Sequence, residues 1–103
     1  MRRLILLSVL ALAGCFPAKT VVVDGYKLAE TKWEAHRTQV TSKASFDLSC
    51  PVEQVELVVL EASDYFDVVR GKTIYASVVG ARGCGGKVTY ANYGDQWERS
   101  APQ

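Results

Sequence analysis

The sequence predicts an α+β fold: one N-terminal amphipathic helix packed on a small antiparallel β-meander of three to four strands, closed by one disulfide. Three observations predict it. An apolar stripe at helical spacing occupies residues 26–45. Short alternating segments separated by glycine-containing turns fill the chain after Pro51, and none is long enough to supply the helical crossover that parallel pairing needs. Cys50 and Cys84 stand at the end of the helical stripe and inside a glycine-rich stretch.

The helix rests on Tyr26, Ala29, Trp33, Val40 and Ala44, with His36 filling the gap between Trp33 and Val40. The steps are three or four residues, which is one face of a helix. Lys27, Glu30, Glu34 and Arg37 lie on the opposite face, where Lys27 and Glu30 are spaced to pair. Thr38, Val40 and Thr41 weaken the second half by propensity. Upstream, Val21-Val22-Val23 suits a β segment without deciding it. Asp24 suits a helix cap, and Gly25 suggests a turn instead. Pro51 disfavours the α region at Cys50, so the helix stops before it.

Val55, Leu57 and Val59 alternate with Glu56, Val58 and Leu60, as in a strand largely buried on both sides. Residues 62–67 read as a loop. Val68 and Val69 open a hairpin that turns at Arg70-Gly71-Lys72. Ile74, Ala76 and Val78 alternate with Tyr75, Ser77 and Val79 as the next strand. Residues 80–86 hold four glycines and read as a turn. Residues 87–93 alternate again, and Trp97 follows a Gly94-Asp95 turn. Residues 100–103 read as a loose tail.

The first fifteen residues carry a targeting signal. Arg2 and Arg3 precede an apolar run over residues 4–13, interrupted only by Ser8. That run is too short for a spanning helix, which needs roughly 20 apolar residues, and it fits the apolar region of a secretory signal. Leu12-Ala13-Gly14-Cys15 then resembles the lipobox of bacterial lipoproteins: an aliphatic residue, two small residues and a cysteine. The resemblance implies cleavage between Gly14 and Cys15. It implies acylation of Cys15, with palmitate-type chains, and attachment to an envelope membrane. Phe16 replaces the aspartate that favours inner-membrane retention in enterobacterial lipoproteins, which points to the outer membrane. The chain then divides into a signal peptide over 1–14, a lipidated cysteine and tether over 15–24, one domain over 25–99 and the tail over 100–103. Loss of Arg2 and Arg3 leaves 10 basic against 11 acidic side chains, a net charge of −1. So even a balance has no electrostatic footprint for nucleic acid.

After lipidation of Cys15, only Cys50 and Cys84 remain. In an exported domain two cysteines most simply form one disulfide. A reactive Cys84 beside Arg82 is the rival reading. A metal site lacks ligand spacing, since His36 is distant in sequence from both cysteines.

A second resemblance covers residues 46–97. Phe46-Asp47-Leu48-Ser49-Cys50-Pro51, a valine-rich strand, Gly83-Cys84-Gly85, Tyr90 and Trp97 together are similar to a recurrent class of small secreted myxobacterial proteins. Many members have a further cysteine just after that tyrosine, where this chain has Ala91-Asn92. The class implies secretion and a small disulfide-bonded fold, and it carries no activity across.

No nucleophile, base and orienting group assemble from one histidine and scattered carboxylates, so a non-enzymatic domain without cofactor or metal is expected. His36 on the apolar stripe is favoured as a packed histidine over a catalytic one. The stretch Gly80-Ala81-Arg82-Gly83-Cys84-Gly85-Gly86 suits a tight turn better than an anion-binding nest, and no Lys-Ser/Thr pair follows it. Arg70, Arg82 and Lys87 are the candidate anion-binding residues. Two functions follow: a structural or protein-interaction domain of an envelope lipoprotein, with an unidentified protein partner, or a small module binding an anionic glycan or lipid headgroup.

Overall fold

The computed structural model describes residues 19–69 and 71–100. The signal peptide, the Gly14–Cys15 junction, Arg70 and residues 101–103 lie outside them. The described chain is α+β. It runs β1 (Thr20–Val23), β2 (Tyr26–Ala29), α1 (Glu30–Leu48), a 3-10 turn (Val52–Gln54), β3 (Glu56–Asp67), β4 (Gly71–Gly83), β5 (Gly86–Tyr93) and β6 (Gln96–Arg99). Strands β3 to β6 form an antiparallel meander in chain order, and β1 and β2 form a separate two-stranded hairpin.

Six strands in two sheets exceed the expected three to four, and the helix begins later than expected. The reason is local. Asp24 and Gly25 both take positive φ, at 50° and 86°, as in the two-residue hairpin turn that matches strand twist. The turn folds Tyr26–Ala29 back on the valines of β1, with Val23 opposite Tyr26 and Thr20 opposite Ala29. Leu28, fully buried, is the apolar residue that the helical count left out, and it shares a strand face with Tyr26 while the exposed Lys27 between them points the other way. From Glu30 onward the helical stripe holds: Trp33, His36, Val40 and Ala44 are the buried residues of α1. The helix runs past Ser45 to Leu48 and ends with Ser49 at φ 51°, where the Cys50 N–H donates to the Ser45 carbonyl at 3.0 Å.

The stretch 62–67 is strand, not loop, and pairs with β4 out to Asp67 opposite Gly71. The hairpin therefore turns two residues earlier than expected: Val68 and Val69 form the turn, and Lys72 pairs with Phe66. Residues 80–86 are not one turn either. Strand β4 continues to Gly83, and only Cys84 and Gly85 turn, at φ 52° and 83°. Gly80 sits in mid-strand for a packing reason. A Cβ there would meet Val58 at 3.2 Å and Leu60 at 3.4 Å.

Register shifts interrupt β3 and β4 between Val59 and Ala62, which leaves Leu60 and Ser77 as extra residues on their strands. The bulge frees backbone groups on the β3 edge, and the β1–β2 hairpin takes them up. The Val59 N–H donates to Asp24 Oδ2 at 2.8 Å, and the Tyr26 hydroxyl donates to the Leu60 carbonyl at 3.0 Å. Helix α1 covers the face of the meander that presents Val59, Val79, Ala81, Val88, Tyr90 and Trp97, and these residues form the core with Leu28 and the helix stripe.

Candidate functional site

Three places hold the residues that the sequence singles out. The first is the end of the molecule where α1 meets the β4–β5 turn. Cys50 and Cys84 are bonded there, with Cα atoms 5.7 Å apart. Gly83 is forced by the same contact, because a Cβ would lie 2.8 Å from the Gln54 carbonyl oxygen and 2.9 Å from Cys50 Sγ. Asp47, the penultimate residue of α1, accepts a hydrogen bond from the buried Tyr90 hydroxyl. Burial and the Asp47 carboxylate both push the Tyr90 phenol well above its ordinary value. Asp47, Cys50, Gly83, Cys84 and Tyr90 thus form one crosslink between helix and sheet, while Trp97 lies apart, beside His36 and Gln39. Phe46 stays at the surface, 85% exposed. Both sulfurs are committed to the bond, so a free, reactive Cys84 is not what the structure contains.

The second place is the open face of the meander, turned away from α1. Arg82 and Lys87 stand directly across from each other on β4 and β5. They border a shallow depression that also includes Val58, Leu60, Thr89 and Ser100. The Arg82 guanidinium donates to Glu56 Oε1 at 2.9 Å, so part of its charge is already answered. Arg70 lies outside the described residues. Its neighbour Gly71 is the first residue of β4, eleven positions from Arg82, which is roughly 36 Å along a strand. Of the three expected anion-binding residues, the structure brings Arg82 and Lys87 together. Arg99, which sequence reasoning passed over, borders the same depression because β6 returns beside β5.

The third place surrounds His36, which is 3% exposed. Its Nε2 lies 3.5 Å from Asp95 Oδ1, and Lys32 Nζ lies 3.7 Å from the same oxygen. The Trp97 ring meets the imidazole edge-on with centroids 5.2 Å apart, while the Trp97 indole N–H donates to Gln39 Oε1 at 3.1 Å. Nδ1 has no hydrogen-bond partner. Burial lowers the His36 pKa, Asp95 opposes that shift, and Lys32 adds to it. A neutral, packed imidazole is the outcome. Asp95 as its neighbour was hidden from sequence reasoning, because only the Gly94-Asp95 turn brings residue 95 back over α1.

Among the described residues no group of three or more His, Cys, Asp or Glu could hold a metal ion, and no helix is long and apolar enough to cross a membrane. No family model, curated protein or solved structure matches this chain, so its own geometry has to carry the functional reading.

Proposed function

We propose that the chain is the precursor of a bacterial envelope lipoprotein, cleaved before Cys15 and held by acyl chains on that residue. The mature domain serves a non-enzymatic structural or protein-interaction role, at the outer membrane rather than the inner. One observation carries the reading: the lipobox Leu12-Ala13-Gly14-Cys15 ends four residues before Lys19, next to a domain crosslinked by a disulfide. The lipobox and the disulfide support export independently, since structural disulfides persist in oxidising compartments. So short a tether keeps the domain against the bilayer. Two or three acyl chains give firm attachment where one gives only marginal binding. Mass spectrometry of the mature N-terminus tests this directly. An acylated Cys15 is expected, and Cys15→Ser releases the protein or blocks its processing. An unmodified chain beginning at Met1 in native membranes overturns the reading.

A second reading is favoured by the pairing of Arg82 with Lys87 beside the open depression. It is a module for an anionic glycan or lipid headgroup. Glu56 competes for Arg82, so Lys87 carries the larger share of the free charge. Titration with a sulfated oligosaccharide separates the readings. Salt-sensitive binding lost in Lys87→Glu supports the module, and no binding at low ionic strength removes it.

A further inference from the structure

The β3–β4 turn is unlike the other three hairpin turns. Those are two-residue turns built on Asp24-Gly25, Cys84-Gly85 and Gly94-Asp95, each with glycine and positive φ at both positions. The β3–β4 turn instead presents apolar side chains: Phe66 is 76% exposed, and Val68 and Val69 are each 91% exposed. Strand β5 pairs with β4 only from Val78 to Gly83, so β3 and β4 continue past β5 as a two-stranded ribbon. Its inner part packs on the core at Ala62, Ile74 and Ala76, and the turn lies beyond them. Exposed valine and phenylalanine at the tip of such a ribbon contribute nothing to the core.

The course of the chain says what the tip faces. Lys19, the first described residue, accepts a hydrogen bond from the Glu30 N–H at 3.0 Å, which fixes it beside the start of α1. In the first turn of that helix, Lys32 Nζ lies 5.8 Å from the centre of the Tyr65 ring, at the root of the ribbon tip. The tether therefore leaves the domain at the end from which the ribbon projects. The disulfide lies at the opposite end, past the C-terminus of α1. Cys15 is four residues before Lys19, a reach of at most about 14 Å. From Tyr65 to Val68 the chain advances three residues, about 10 Å along a strand. Acyl chains at Cys15 bring the bilayer within reach of the tip.

From this placement we infer that Phe66, Val68 and Val69 insert into the interfacial layer of the bilayer that holds the acyl chains, as a second point of membrane contact. The inference rests on the lipoprotein reading. The apolar area supports lipid rather than a folded partner or a second copy of the chain. Three side chains at a tip offer on the order of a few hundred Å², short of the roughly 800 Å² per partner of a stable protein interface. The contact is apolar: the three side chains are hydrocarbon and exposed, and the charges of Lys72 and Asp64 beside the tip pair with each other at 3.2 Å.

The test uses the full chain, processed in bacterial cells and reconstituted into phosphatidylcholine vesicles with brominated acyl chains. Val68→Trp reports the tip, and Phe46→Trp reports the exposed surface at the disulfide end. Trp33 and Trp97 are buried and supply a background read from the parent protein. At an insertion depth of roughly 5–10 Å, Val68→Trp emission should fall roughly twofold against unbrominated vesicles, with Phe46→Trp unchanged. Val69→Trp gives the same reading if Val68→Trp does not fold. Flotation separates the two failures. Protein that does not float with the vesicles defeats the lipoprotein reading, and the inference with it. Protein that floats with an unquenched tip overturns the inference alone. So does equal quenching at both ends, or a tip shielded in native envelopes but unquenched in lipid, which assigns it to a protein partner.

Discussion

The two long hairpin turns of the meander stand at opposite ends of one fold and are held in opposite ways. The Cys84-Gly85 turn is fixed several times over. A disulfide ties it to Cys50, Gly83 packs against the Gln54 carbonyl, and a Cβ on Gly86 would meet Leu48 at 3.1 Å. The Tyr90–Asp47 hydrogen bond adds a buried polar tie to the same helix end. Strand β5 does not extend beside the Val68-Val69 turn, and Lys32 of α1 reaches over the Tyr65 ring at the root of its ribbon. A two-stranded ribbon is marginal alone in water. Covalent and buried polar ties are therefore concentrated at the disulfide end, while the other end carries the exposed Phe66, Val68 and Val69.

Removing the crosslink breaks the comparison most severely. For a sequence separation of 34 residues, chain-entropy reasoning gives about 4 kcal/mol as an upper figure. Reduction, or Cys50→Ala with Cys84→Ala, should lower Tm on the order of 10–20 °C in a domain of this size. A melting curve unmoved by reductant would mean that packing alone secures the helix end.

Gly83→Ala probes the same end by crowding it rather than by removing the bond, since the added Cβ would also lie 2.9 Å from Cys50 Sγ. The added Cβ would meet backbone at 2.8 Å, and backbone cannot swing aside as a side chain can. The expected loss is about 1–3 kcal/mol, read as a lower urea midpoint. Gly85→Ala is the companion: nothing lies within 4 Å of its Cβ position, so its cost comes from the positive φ of 83°.

The sequence made the buried end legible and the exposed end illegible, for one physical reason. Where residues alternate between core and solvent, the pattern prints itself in the chain. Trp33, His36, Val40 and Ala44 showed the helix face, and Val88 with Tyr90 showed the inner face of β5. The cysteine pairing followed from there being two of them in a chain read as exported. In the ribbon, Ser63, Asp64, Tyr65 and Phe66 are all exposed, so no face is selected and no alternation is written. That is why residues 62–67 read as a loop. Glycine misled in a different way. Gly80 and Gly83 are needed for close approach and Gly85 for its backbone angle, and composition alone does not distinguish these uses. Of the candidate anion residues, Arg82 and Lys87 flank a hairpin turn and are brought together by it.

His36 sharpens the comparison through pH, because it lies under the turn at Asp95 rather than at the crosslink. Its folded pKa is lowered from 6.5, chiefly by burial. The unfolded chain then binds more protons below that value than the folded one does, so stability is fully present above about 6.5 and is lost as pH falls toward the folded value. Asp95 and Lys32 are the charged groups that face it, and they act in opposite directions. The urea midpoint should be lower at pH 5 than at pH 7.5. His36→Gln should flatten that difference, whereas Asp95→Asn should lower the imidazole pKa further, as followed by NMR titration.

The smallest effect belongs to the ribbon tip. Phe66 and Val68 are exposed, so replacing both with serine removes almost no burial in the isolated domain. Stability should change by no more than about 0.5 kcal/mol, and the urea slope should stay the same. Hydrogen exchange should already separate the two ends in the parent protein. Amides of the outer ribbon should exchange through local opening, and those of β4 from Val79 to Ala81 only through global unfolding. The serine variant leaves the slow amides slow. If it instead lowers the urea midpoint by several times the expected amount, the tip packs against the domain in solution. The division between a fixed end and an exposed end then fails.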